Sequence, residues 1–323
     1  MIKTFIAGRA SVERTASESD RKIIEILQEN GRAIGRVFAG GTGLSEATVS
    51  RRLCALEESS LVRVCGYRDP LACGCQAMSM IHFSTEDAPA AFATSLAQRP
   101  LFHRVATIAG KSDILALVVA RDNAQLLAEI DAVLGENSAA HIENASAVLS
   151  IIPPREARGA RAHVNGAGKT TQTPRQQQIE CKLMRALQND FRATFSSLSE
   201  AAGLSAPAAS ATLEELLADG TIHHAVVVDP RFLGRPLSVQ FSVQVSKGIE
   251  RVAETIAQTL NPDWIFLCLH GEQVLVEVAL TGEDELFRWQ RDMNKIADVV
   301  SVSSHPFSAI YKQTFNWSAD VLG

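Results

Sequence analysis

The strongest constraint on this chain is its agreement with itself. Leu27-Gln28 returns as Leu187-Gln188, and Gly43-Leu44-Ser45 as Gly203-Leu204-Ser205. Leu56 returns as Leu216, Asp69-Pro70 as Asp229-Pro230 and Gly74 as Gly234, always 160 residues on. A constant spacing across separated landmarks marks a tandem duplication of one unit. At 323 residues the chain is long for one domain, and duplication splits it into two units of ordinary size. Each unit has a helical part followed by a part in which strands and helices alternate.

In the first helical part, Ser19 or Asp20 is placed to cap a helix with Ile23, Ile24, Ile26 and Leu27 on one face, ending near Asn30-Gly31. A second short helix is expected over 33–41, with Val37 and Phe38 inward. Its Gly40-Gly41 end is weak, since each Gly costs about 1 kcal/mol against Ala. The third helix lies in GLSEATVSRRLCALEESSLV, capped by Ser45. Val49, Leu53 and Leu56 fall at i, i+4 and i+7 and form its buried stripe. Thr48, Arg51 and Ala55 lie opposite, and Arg52 sits near the edge. A narrow helix with small residues and arginines outside fits a major groove and supplies donors to phosphates and base edges. A solvated helix with two arginines is the plainer alternative. Residues 61–64 and 66–70 read as short strands of a wing, which completes a winged helix-turn-helix.

The second part reads as strand 76–83, helix 87–99, strands 105–109 and 114–120, helix 122–134 and strand 145–151. Strand, helix, strand, strand, helix, strand is the split βαβ, ferredoxin-like order. Two helices cover one sheet face and leave the other for a partner. Residues 153–175 are rich in Pro, Gly, Ala and Thr and read as a linker. The order then repeats, with helices 178–189, 196–202 and 206–219, a wing at 221–228, and a second module over 237–305. A tail from 309 to 323 carries Tyr311, Phe315 and Trp317, suited to adding a strand or packing across the partner module.

Other classes of function find little support. A net charge of −5 argues against non-specific coating of nucleic acid and allows a local basic surface. The six cysteines form no zinc-ligand spacing. Cys73 and Cys75, two apart, would share a strand face as small apolar residues in a reducing cytoplasm. No apolar run is long enough for a bilayer, and the polar N-terminus does not read as a secretion signal. Nucleophile elbows, phosphate loops and zinc-protease motifs are missing from the sequence. The expectation is a cytoplasmic, non-enzymatic protein with no cofactor and no metal site.

The residues that carry a resemblance are Asp20-Arg21-Lys22-Ile23-Ile24, Leu27-Gln28-x-Asn30-Gly31-Arg32, Gly43-Leu44-Ser45, Thr48-Val49-Ser50-Arg51-Arg52, Leu56-Glu57, Gly66-Tyr67-x-x-Asp69-Pro70 and Gly74, with Gly110-x-x-Asp113 in the module. In these the chain resembles the leucine-responsive/asparagine-regulator (Lrp/AsnC) family of bacterial transcription factors over 17–152, and more weakly over 178–307. Most members have one unit, so the tandem form departs from the pattern. The resemblance implies DNA reading by the third helix, through Ser45, Thr48, Ser50, Arg51 and Arg52. It implies modules that pair through their sheets, and small effectors, often amino acids, bound near Gly110, Lys111, Ser112 and Asp113. For Asp113 the alternative is a turn residue that satisfies local amides.

The fold class expected is α+β: two tandem units, each a winged helix-turn-helix followed by a ferredoxin-like βαββαβ module. The boundaries are an arm at 1–17, a DNA-binding winged helix at 18–70, an effector and assembly module at 71–152, a linker at 153–175, a degenerate winged helix at 176–230, and a second module with tail at 231–323. The second winged helix is degenerate because Ala209, Leu213 and Leu216 keep the inward stripe while Ala208, Ala211 and Thr212 replace Thr48, Arg51 and Arg52. No Lys or Arg occurs from 193 to 230, so the cationic contribution to DNA affinity is missing there. Aligning Gly110 with Gly271 puts Val274 in place of Asp113. One active reader per chain then calls for at least a homodimer on a palindromic operator. Two alternatives remain: an enzyme akin to the siroheme decarboxylases, which share this architecture, and a co-regulator that seldom touches DNA.

Overall fold

The computed structural model describes residues 15–153, 174–269, 273–315 and 317. Most of the expected arm, most of the linker and Gly271 lie outside these residues. The fold is mixed α+β, with an N-terminal helix-turn-helix and a large antiparallel sheet. The described residues divide into two compact units: 15–73 with 174–233, and 74–153 with 234–317. The helical parts of the two halves of the chain thus fall in one unit, and the strand-rich parts in the other.

In the helical unit, α1 spans Glu18–Glu29, α2 Gly35–Thr42 and α3 Glu46–Glu58. The cap of α1 is Ser17, not Ser19 or Asp20. Asp20 stands at N3 and accepts from the Ser17 backbone while Ser17 accepts from Asp20 N, a capping box. Ile23, Leu27, Phe38, Val49 and Leu56 are buried among these helices, whereas Val37, expected inward, is 45% exposed. Gly41 has a close-packing role, since a Cβ there would lie 2.7 Å from Ile26 Cδ1. Gly43 ends α2 at φ +71°, a left-handed C-cap. The second set is α6 (Pro174–Asn189), α7 (Phe195–Ala202) and α8 (Ala206–Ala218).

The expected wings are not local hairpins. After α3 comes one strand, β1 (Val62–Tyr67), and after α8 one strand, β6 (His223–Val228). They pair antiparallel with each other. The next strand after each belongs to the other sheet, so each finds its backbone partner in the other. In this ladder Cys65 stands opposite Ala225, its own counterpart 160 residues on.

The strand-rich unit begins with β2 (Ala77–Thr85), α4 (Pro89–Gln98), β3 (Phe102–Ile108), β4 (Ile114–Ala120), α5 (Asn123–Glu136) and β5 (Ala140–Ile152). Then follow β7 (Leu237–Val245), α9 (Ile249–Thr259), β8 (Trp264–Leu269), β9 (Val274–Leu280), α10 (Glu283–Asn294) and β10 (Val299–Gln313). Cys73 lies in a 3-10 turn, Leu71–Cys73, rather than on a strand with Cys75. All strands of this unit close into one barrel in the order β10-β3-β4-β2-β5-β8-β9-β7. The seams are β5 against β8 and β10 against β3. The face left open in one module is thus closed by the other module of the same chain.

Strand alternation sorts the side chains. Val239, Phe241, Val243 and Val245 pack with Val252, Ile256, Trp289 and Met293 in the core beneath α9 and α10. Phe241 stacks on Trp289 at 6.2 Å, and Phe83 meets Phe92 of α4 edge-on at 5.6 Å. The intervening residues face the barrel interior, and several are polar: Gln240, Ser242 and Glu277 are all 2% exposed or less.

Candidate nucleic-acid interface and effector turn

The outer face of α3 is set by its cap and its stripe. Ser45 accepts from Thr48 N at 3.3 Å, and its hydroxyl lies 2.9 Å from that of Thr48. Ser45 and Thr48 are therefore bonded to each other while facing outward. Ser50 and Arg51 are exposed. Arg52 differs, because it reaches back to α1 and donates to Asp20 Oδ1 at 2.9 Å. Asp20 is fully buried, so Arg52 neutralises an interior carboxylate as well as lining the face.

On α8 the frame is the same and the surface is not. Ser205 caps it from the same position, accepting from Ala208 N at 3.3 Å. Ala209, Leu213 and Leu216 are buried as their counterparts are. Outward stand Ala208, Ala211 and Thr212, followed by exposed Glu214, Glu215 and Asp219.

Two arginines, Arg32 and Arg192, tie the two helical sets together. Arg32 donates to Phe191 O and, at 2.9 Å, to Ala193 O. Arg192 donates to Gly31 O at 2.9 Å and Ala33 O at 3.3 Å. Arg192 is the counterpart of Arg32, and its acceptors Gly31 and Ala33 are the counterparts of Phe191 and Ala193. The exchange is therefore reciprocal. Arg32 also lies 4.8 Å over the Phe195 ring and Arg192 5.7 Å over the Phe38 ring. Burial, and second the neighbouring charge of Arg192, lower the pKa of Arg32.

The expected effector residues form the β3–β4 turn. Gly110 has φ +148°, and a Cβ there would lie 3.2 Å from His305 Nδ1. Lys111 is exposed. Buried Ser112 shares a hydrogen bond with His82 Nδ1 at 3.1 Å. Asp113 accepts from Thr85 N, at the end of β2, at 2.9 Å, a bond to a neighbouring strand rather than to an amide of its own turn. The structure adds His82 and His305, whose rings lie 6.3 Å apart. Both were scattered histidines in the sequence. They meet because β2 and β10 both border this turn in the barrel.

A polar cluster inside the barrel was also missed. Arg104 pairs with Glu277 at 2.8 Å, with side chains 9% and 2% exposed. Burial raises the Glu277 pKa, against the lowering effect of Arg104. His103 is wholly buried, which brings its pKa down to about 3, and Lys312 adds to that. The one signal available in the sequence was a Glu inside the apolar run Val274–Leu280.

Residues 17–57 match the AsnC-type helix-turn-helix domain. The HTH-type transcriptional regulator FL11 of Pyrococcus horikoshii is 30% identical over 111 residues, 34% of this chain and 74% of that protein. FL11 of Pyrococcus abyssi is 46% identical over 46 residues, 14% of this chain and 30% of that protein. Among solved structures, the siroheme decarboxylase NirDL in co-complex with an iron-uroporphyrin III analogue has a TM-score of 0.60 at 13% identity, covering 94% of this chain and 96% of NirDL. That likeness is one of fold.

Proposed function

The chain belongs to the Lrp/AsnC family of regulators, and on that premise we propose that it is a sequence-specific DNA-binding transcription regulator whose reader is α3 alone. The observation that carries this is the pair α3 and α8. One buried stripe and one type of cap support two different outer faces. The stripe is what folding requires, so exposed Arg51 is surplus to folding and available to phosphates or base edges.

We further propose that the chain arose by duplication and is a fused counterpart of a dimer. The β1–β6 ladder, the reciprocal arginines and the two barrel seams support this reading, each being an isologous contact made within one chain. With a single basic reader per chain, two chains are needed to occupy a palindromic operator. The Gly110–Asp113 turn is proposed as the effector site, with an amino acid as ligand and His82 and His305 beside it. The protein acts by binding, not by catalysis, in the cytoplasm.

Selection of bound sequences from random DNA, with and without amino acids, tests operator symmetry and effector dependence together. Recovery of no enriched sequence at low salt would sink the DNA-binding reading and favour the co-regulator. The whole-chain fold likeness to NirDL keeps a tetrapyrrole enzyme as the second reading. A shifted visible absorbance on porphyrin titration would move the assignment there.

A further inference from the structure

At one end of the barrel interior a cavity of about 20 Å3 is bounded by His103, Arg104, Trp264, Glu277, Phe315 and Trp317. That volume holds about one water. The walls are richer than a water site requires. His103, Arg104 and Glu277 are each 7% exposed or less. Their His103 Nε2, Arg104 Nε and Glu277 Oε1 atoms have no hydrogen-bond partner among the described residues. Buried polar atoms of this kind are normally satisfied, so the cavity offers unspent hydrogen-bonding capacity on one side.

On its other side the cavity is aromatic. Phe315 stacks on Trp264 at 4.7 Å, and Trp317 meets Phe315 edge-on at 5.9 Å and His103 at 5.7 Å. Phe315 and Trp317 do not belong to the barrel wall. The last strand ends at Gln313, and the chain then turns inward. It is fastened by Thr314 N donating to His103 O at 2.8 Å and by the Thr314 hydroxyl at 3.1 Å from His103 Nδ1. Trp317 is 1% exposed, so the post-strand segment fills the space with an indole.

We propose that this end of the barrel is a binding site for a small, uncharged, planar aromatic molecule with a polar edge, about the size of indole, and that Phe315 and Trp317 lie in it as the chain's own competing ligand. The ligand ring takes the place of the Trp317 ring against His103. Its N–H or O–H meets the polar side of the cavity. The preference for an uncharged ligand follows from the Arg104–Glu277 pair, which already balances its own charge; an ion brought here would leave one buried charge unpaired. The site goes beyond DNA reading and shares no residue with the Gly110–Asp113 turn.

The test uses the full chain carrying 5-fluorotryptophan, with indole as the probe. The chain has three tryptophans, Trp264, Trp289 and Trp317, so three fluorine signals report separately. On adding indole, the Trp317 signal is expected to move to the solvent-exposed position. A chain ending at Gln313 is expected to bind indole roughly tenfold tighter or better, because the competitor is gone. If that chain does not fold, Trp317→Ala in the full chain takes its place. Benzene, which lacks the polar edge, is expected to bind at least tenfold more weakly than indole. Equal affinity for benzene and indole, an unmoved Trp317 signal at saturating indole, or no gain on removing Trp317 overturns the proposal.

Discussion

Arg52 reaches back to buried Asp20 at 2.9 Å while Arg51 stands exposed beside it, so the two arginines should separate in experiment. Arg51→Ala is expected to weaken operator binding by about 1–3 kcal/mol with an unchanged melting temperature. Arg52→Ala should also lower folding stability by roughly 1–3 kcal/mol, the scale of a charged hydrogen bond lost to a buried partner. Gel-shift titration and thermal unfolding of both variants check this. His103 gives a second residue-scale expectation. Its pKa, lowered to about 3 in the folded protein, lies below the ordinary value of 6.5. The unfolded chain therefore takes up that proton first as pH falls. Stability is unaffected by His103 above about pH 6.5 and is lost progressively as pH falls from there toward 3. His103→Gln should flatten the stability profile across that window, as read by urea unfolding at several pH values.

Among the elements, the helices and the strand–helix order were legible because periodicity and caps are local. Ser45 with Val49, Leu53 and Leu56 marks α3 from a few residues, and Asp122 marks the start of α5. The partners of β1 were not legible. A short strand such as VRVCGY carries no record of which distant strand it meets, and residues 61–64 and 66–70 read as strands of one local wing. The exposed face of α3 could be drawn in advance, since helical spacing fixes it. The Asp20–Arg52 pair, the His82–Ser112–His305 cluster and the Arg104–Glu277 pair could not, because each joins residues far apart in sequence. At this scale the reciprocal arginines predict a symmetry of effect. Arg32→Ala and Arg192→Ala should each destabilise the helical unit by a similar amount, about 1–3 kcal/mol, in thermal unfolding. A large effect from one and none from the other would contradict a shared interface.

For the whole molecule, strands of the C-terminal half pair with the open edges of the N-terminal half. A fragment ending at residue 153 would leave β1, β3 and β5 without the partners β6, β10 and β8. Open edges of this kind seek strands, so the fragment is expected to pair with itself and to sediment as a dimer or larger. A well-behaved monomer would count against this. Ala211→Arg with Thr212→Arg on α8 is expected to lengthen the selected operator and steepen the salt dependence of binding, by about one counterion per added phosphate contact. The opposition of Cys65 to Ala225 has a consequence for heredity. In a dimer of identical chains, one codon change alters both sides of the axis at once. Here the axis passes between two residues with separate codons, so each side mutates alone. One face can be preserved while the other changes.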